Sequence, residues 1–455
     1  MTAKKIVCLG AGSLYFRRAI GDLLVNAGLA GSELVMVDLV QEKSGRVAAL
    51  GKRLAEEAGT GWTVRSAASL ADALDGADFA ISSIGGSGAG INQRVYDSYH
   101  HNADVLIAAK YGIRQIIADT AGPGAMMMAL RSIPAYMEIC REMEKRCPDA
   151  ILFNHSNPMA VLCRAMHKYT NLNVIGVCHG VQGGIRDVAK ILDLPMTELD
   201  CLWIGTNHYY WLTRVAHRGR DLYPELMSRT SAKAPPAGSE LSHQLSAIYG
   251  KRILYSPDDH IIEFYPFLAQ TQGGVEGLPE KLAEGAVARF PDDMSCNGPP
   301  QVTSEVRDAF FEQYQELLGG TGLPDAPSDP LTGEGIGAIL DAVTHGKRQV
   351  CIANIANNGC IPNLPATAEV EVEAVTDSCG VRGLQMGEAP LHLKGLLEKR
   401  FVWHELVADA AVEGDRNLAL QALMIDDVAI VPDQAAKMLD ELLVASRDLL
   451  PQFHE

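Results

Sequence analysis

The sequence predicts an α/β protein: a doubly wound parallel sheet at the N-terminus, packed intimately against an α+β second domain. Three observations carry that reading. An apolar run ends in a glycine turn and leads into a helical pattern; short apolar runs then alternate with helical patterns; and the texture changes beyond Leu202. At 455 residues the chain exceeds one ordinary hydrophobic core, so two domains are expected, 1–200 and 201–455.

Taken in order, Lys5–Leu9 reads as a buried strand, Leu14–Ala27 carries apolar residues at helical spacing, and Glu33–Val37 reads as a second strand. Further strands are expected at Phe79–Ile84, Gln115–Ile117, Ala150–Phe153 and Val174–Val177, with helical patterns between most of them. Such alternation predicts parallel strands covered by helices. Met126–Arg146 shows one apolar helical face, which Pro148 stops, and Met126, Met127 and Met128 read as packing residues. Beyond Leu202, the segments Ala234–Gly238, Cys296–Pro300 and Leu323–Gly335 punctuate helices and short strands, and two helices are expected between Phe401 and Leu450.

Composition narrows the function classes. The chain is 47% apolar and 21% charged, and no apolar run reaches the length of a bilayer span. Ile6–Leu9 is too short for a signal-peptide core, so a soluble, cytoplasmic protein is expected. Ten cysteines without a CxxC pair fit reduced thiols. A net charge of −17 without a basic stripe argues against a nucleic-acid partner and leaves a small-molecule ligand.

Gly10-Ala11-Gly12-Ser13 follows the first strand and opens a helix, the arrangement in which glycines admit a pyrophosphate to a helix N-terminus. Tyr15 stands where the Rossmann-type fingerprint has its third glycine. Asp38, ending the second strand, is placed to accept from the adenosine ribose hydroxyls and to repel a 2′-phosphate, so NAD is preferred over NADP. Gly85, in the turn Ser83–Gly86, and Asn154 end later strands and extend the cofactor edge.

Polar groups concentrate after three apolar strands: Asn154–Pro158, Cys178-His179-Gly180 and Gly205-Thr206-Asn207-His208. A thiolate and an imidazole can bind a divalent metal; a core cysteine and a hydrogen-bonded histidine fit the same residues. Asp258-Asp259-His260, after Pro257, reads either as a helix cap or as a general base. Arg94, His100 and His101 fall in a loop where they would either read an anionic group or stay solvated.

These residues together resemble glycoside hydrolase family four, the NAD- and metal-dependent glycosidases. The landmarks are Gly10–Ser13, Lys110–Gln115, Asp119-Thr120 through Gly124, Ala129–Pro134, Asn157–Met159, Cys178–Gly180, Asn207-His208 and Asn357–Pro365. The resemblance implies NAD and Mn2+ or another divalent ion as cofactors, Cys178 and His208 as metal ligands, and Asn157 with Asn207 on the substrate. It implies oxidation of the sugar at C3, deprotonation at C2, elimination of the aglycone, addition of water and re-reduction, outside the usual two-carboxylate scheme. Asp258 is the best match for the base, with Asp259 and Tyr255 in reserve, and His179 stands where relatives carry their acid. The Lys110–Pro134 stretch is similar to the branch that cleaves unphosphorylated α-galactosides, α-glucosides and hexuronides, although Met128 replaces an arginine usual there. A homodimer or homotetramer is implied. The same cofactor fold would also serve a net dehydrogenase of a sugar or hydroxy acid, or a non-catalytic NAD-binding protein.

Overall fold

Lys5–Leu9 (β1) runs parallel to Glu33–Val37 (β2) on one side and to Phe79–Ser82 (β4) on the other. Its side chains alternate between two cores, as the two-residue period of a strand requires. Val7 and Leu9 pack with Met126, Trp403 and Leu442, whereas Ile6 and Cys8 pack with Ile20, Leu34 and Leu340. This is a computed structural model, and it describes residues 3–85, 99–113, 115, 117–232, 235, 236, 238–255, 257–265, 315–426 and 430–454.

Thr63–Ser66 (β3), Ile151–Asn154 (β5) and Asn173–Gly176 (β6) complete the parallel part, in the order β3-β2-β1-β4-β5-β6. Helices Gly122–Arg146, Met159–Tyr169, Leu391–Glu413 and Pro432–Ala445 cover one face, and Phe16–Leu24, Gln41–Ala58 and Ile336–His345 cover the other. This is the expected doubly wound α/β arrangement. Leu199–Thr206 (β7), Tyr209–His217 (β8) and Arg220–Asp221 (β9) form a separate antiparallel sheet. Gln349–Ala356 (β10), Glu369–Asp377 (β11) and Gly380–Gly383 (β12) return to the first sheet as antiparallel strands beyond β6. Nine strands among the described residues thus form one sheet that draws on both halves of the chain.

Some elements differ from the sequence expectation. Gln115 and Ile117 are not in a strand; the Gln115 carboxamide donates to Ala121 O at 2.7 Å and accepts from Gly124 N at 3.1 Å, bracing the loop before helix Gly122–Arg146. Among the described residues three helices, not two, fill the C-terminal region, because Gly414 ends one and the Asp415 carboxylate caps the next by accepting from Asn417 N and Leu418 N. His100 and His101 lie in helix Tyr99–Lys110, buried, and bond Asp448 and the Ile117 carbonyl. Arg94 lies outside the described residues.

Two internal details position the site. Pro134, inside helix Gly122–Arg146, has no N–H for the Leu130 carbonyl, and the Gln452 side-chain amide donates to that oxygen at 3.3 Å instead. Across the sheet, Ser82, Asn154, Gly176, Asn354 and Glu371 are successive register partners, so four buried polar side chains, interrupted by one glycine, cross an otherwise apolar layer.

Candidate active site

The glycine turn is fixed by its own backbone. Gly10 has φ +71°, and a Cβ there would lie 2.5 Å from the Ser83 carbonyl oxygen, so only glycine fits. Asp38 accepts from Gly12 N at 2.8 Å and from Val40 N at 2.8 Å, which ties the end of β2 to the turn and leaves the carboxylate further lone pairs. Ser13 Oγ meets Ser83 Oγ at 2.8 Å. Gly85 is exposed beside this edge. Asn154 is turned inward: its oxygen accepts from Ser82, Tyr136 and Ser156 N, and its amide donates to Ser156 O.

Tyr15 explains the missing third glycine. Its ring stacks on His155 at a centroid distance of 4.3 Å, and its hydroxyl meets His155 Nε2 at 2.9 Å. Burial lowers His155 to about 4, against the pull of Glu334. The other Glu334 oxygen bonds His179 Nδ1 at 3.0 Å, and that hydrogen bond raises His179 above its ordinary value. Glu334 carries no sequence signal, since it lies 155 positions from His179.

Cys178 follows β6, and His208 sits in the two-residue turn between β7 and β8, with φ +60°. Cys178 Sγ lies 3.5 Å from His208 Nε2. Two ligands about 2.3 and 2.1 Å from one ion at a near-tetrahedral angle stand roughly 3.5 Å apart, so the spacing suits a shared divalent cation. The His208 Nδ1 atom meets Thr120 Oγ1 at 2.8 Å, and Thr120 in turn donates to Asp119 Oδ1 at 2.7 Å. Burial, with smaller pushes from His260 and His179, lowers His208 to about 3 against the pull of Asp119, so the ring is neutral and able to ligate. Burial and Glu371 push the Cys178 thiol up, while the Gly180 N–H and the Asn207 carboxamide favour its thiolate.

The two asparagines flank this pair. Asn157 donates to Asp119 Oδ2 at 2.9 Å, and Asn207 donates to Glu371 Oε2 at 3.0 Å. Both side-chain oxygens, Asn157 Oδ1 and Asn207 Oδ1, are buried without a hydrogen-bond partner. Buried polar atoms normally have one, so these point to a ligand.

Tyr255 and His260 close the pocket. The Tyr255 ring stacks on His208 at 4.3 Å, its hydroxyl faces His260 Nε2 at 3.3 Å, and His260 Nδ1 meets Asp259 Oδ1 at 3.0 Å. Asp258 turns the other way: its oxygens accept from Leu241 N at 3.0 Å and Ser242 N at 3.1 Å, capping helix Glu240–Tyr249. Asp119, His208 and His260 offer ligand atoms within 4.8 Å of one another, a cluster the sequence reading did not assemble. Glu263 is buried and accepts from Thr120 N at 2.9 Å and Ala121 N at 3.0 Å; burial and Asp119 raise its carboxyl above the usual range. His260 was legible only as a neighbour of two acids, and Glu263 had no local signal.

Fold and pocket define a class: an α/β protein with a dinucleotide-type glycine turn and a thiol–imidazole pair at the carboxyl edge of one sheet. Residues 5–194 match the family 4 glycosyl hydrolases and residues 203–429 match the family 4 glycosyl hydrolase C-terminal domain, and the chain belongs to that family. An alpha-galactosidase of Bacillus subtilis is 28% identical, covering 99% of this chain and 100% of its own. An alpha-glucosidase of Erwinia rhapontici is 29% identical over 94% of each chain. A probable 6-phospho-beta-glucosidase of Bacillus subtilis is 27% identical over 99% of this chain and 98% of its own. Among solved structures, a 6-phospho-alpha-glucosidase from gut microorganisms, in complex with NAD and Mn2+, matches with a TM-score of 0.76 and 21% identity, over 99% of this chain and 100% of its own. The chain is therefore a glycosidase of family 4, and no helix among its described residues is long and apolar enough to cross a membrane.

Proposed function

We propose that the chain cleaves unphosphorylated α-glycosides with NAD and a divalent cation, Mn2+ or its equivalent, as resident cofactors. The observation that carries the reading is the 3.5 Å approach of Cys178 Sγ to a neutral, buried His208 Nε2 beside the glycine turn's edge of the sheet. The names of two relatives, alpha-galactosidase and alpha-glucosidase, support an unphosphorylated α-glycoside over the 6-phospho sugar in the name of the third, and the solved structure with NAD and Mn2+ supports the cofactors. In this reading residues 1–200 supply Gly10, Gly12, Ser13 and Asp38 to NAD and Cys178 to the metal, and residues 201–455 supply His208.

Held at Gly10, Gly12, Ser13 and Asp38, NAD would supply hydride-acceptor chemistry towards C3 of the sugar, and a cation held by Cys178 and His208 would stabilise negative charge on the adjacent oxygens. Asn157 and Asn207 present their unpartnered oxygens to sugar hydroxyls. Tyr255 takes the C2 proton as its own hydroxyl proton passes to His260 Nε2, which Asp259 orients; burial pushes the phenol up, so the base depends on that relay. Asp258 serves as a helix cap in this assignment. His179, held by Glu334, serves as the acid in this assignment.

A panel of aryl α- and β-glycosides, neutral and uronic, tests this with NAD, Mn2+ and reductant, in deuterated water. Aryl α-hexosides should release aglycone, incorporate deuterium at C2 and accumulate no NADH. Cys178→Ser should lower kcat about 100- to 1000-fold, the scale of losing one electrostatic stabiliser, with NAD affinity retained. Cleavage that persists after removal of NAD and metal, or stoichiometric NADH without aglycone release, refutes the proposal.

A further inference from the structure

His208 borders two different sets of donors. Its Nε2 faces Cys178, while Asp119 and His260 lie close enough to form a second cluster around the same imidazole. Only a ring nitrogen without a proton can bind a cation, so the tautomer decides whether the nitrogen that faces Cys178 is available.

Thr120 decides the tautomer. Its hydroxyl carries one hydrogen, and the Asp119 carboxylate, an acceptor, takes it at 2.7 Å. The carboxylate's other oxygen accepts from the Asn157 amide at 2.9 Å, so both Asp119 oxygens act as acceptors. The Thr120 oxygen can then only accept from the ring, 2.8 Å away, so the proton sits on Nδ1 and the lone pair on Nε2 points at Cys178. Glu263 fixes the device from behind by accepting from the backbone N–H groups of Thr120 and Ala121. Metal-binding histidines characteristically donate their second N–H to such a partner, which orients the ring.

We propose that Thr120 is a positioning residue that selects the metal-binding nitrogen of His208, leaving Nε2 free to share a divalent cation with Cys178. The inference rests on the assignment of the metal to Cys178 and His208. It is read without turnover, by titrating the full-length, metal-free protein with Co2+ under reducing conditions and recording the thiolate-to-cobalt charge-transfer absorption.

The wild-type chain should show that band, and Cys178→Ser should lose it. Thr120→Val, which removes the hydroxyl at nearly constant shape, should weaken Co2+ binding about 10- to 100-fold and lose most of the band, with NAD affinity retained. Thr120→Ser, which restores the hydroxyl, should restore both. A Thr120→Val protein with wild-type band and affinity, or a folded Thr120→Ser protein that behaves like Thr120→Val, overturns the role of Thr120. Should Thr120→Val fail to fold, nitrogen-15 shifts of the metal-free wild-type chain decide: Nδ1–H on His208 supports the inference and Nε2–H overturns it. A wild-type chain that binds Co2+ without the thiolate band overturns the metal assignment itself, and this inference with it.

Discussion

The glycine turn and the Cys178–His208 pocket occupy the same edge of one sheet, yet they are built on opposite plans. The turn is local: Gly10, Gly12 and Ser13 fall within four consecutive residues, locked by Asp38 from the adjacent strand and by Ser83 from the strand on the other side. The pocket is convergent, drawing Thr120, Asn157, Cys178, His208 and Tyr255 from five separate segments. A local device fails through its backbone. A convergent one fails through single side chains while the fold survives.

The largest effect expected from that difference lies in the pocket. Tyr255→Phe should lower kcat by about 100- to 10,000-fold, the range for losing a general base, with little change in thermal unfolding. Asp258→Asn should do the reverse, costing about 1 kcal/mol of stability through the lost helix cap while kcat stays near wild type. Steady-state kinetics alongside calorimetry would reveal a reversed pattern, which would return the base to Asp258.

Next comes acid. His155, which links Tyr15 of the turn to Glu334, is lowered from 6.5 to about 4 by burial. The unfolded chain therefore takes up a proton before the folded one, so the stability from neutral His155 is complete above pH 6.5 and is lost as pH falls towards 4. The loss is about 3 kcal/mol at most. Urea unfolding between pH 7 and pH 4 should show a smaller acid loss in His155→Gln than in wild type; equal slopes would mean that His155 is not the group responsible.

Last comes the turn. Gly10→Ala places a side chain at φ +71° against the Ser83 carbonyl, which should cost about 2 kcal/mol and weaken NAD binding. Calorimetry and a binding isotherm measure the two together. An alanine variant with unchanged stability and NAD affinity would show that the turn tolerates more than its backbone suggests.

What could be read from the sequence follows the same division. β1, β2 and β4–β6 were legible because buried parallel strands are short apolar runs between helical patterns. Thr63–Ser66 escaped notice because this edge strand has only Val64 buried. Gln115–Ile117 imitates a strand locally, but the Gln115 side chain braces a loop. That β10–β12 rejoin the first sheet could not be seen, since antiparallel addition at an edge leaves no mark on β6. Cys178 and His208 were findable as polar residues ending apolar strands. Glu334 and Glu371 were not, because a buried acid is recognisable only once its partners, His179 and Asn207, have been brought to it.

One face of the parallel sheet is sealed by Trp403, Val407, Leu439 and Leu442, and the Leu130 carbonyl opened by Pro134 is met by Gln452. A ribosome releases β1–β6 long before any of those residues leave the exit tunnel. During synthesis that face is therefore covered at first by helices Gly122–Arg146 and Met159–Tyr169, and the core begun at Val7 is finished only when residues 403–442, or a chaperone standing in for them, close over it.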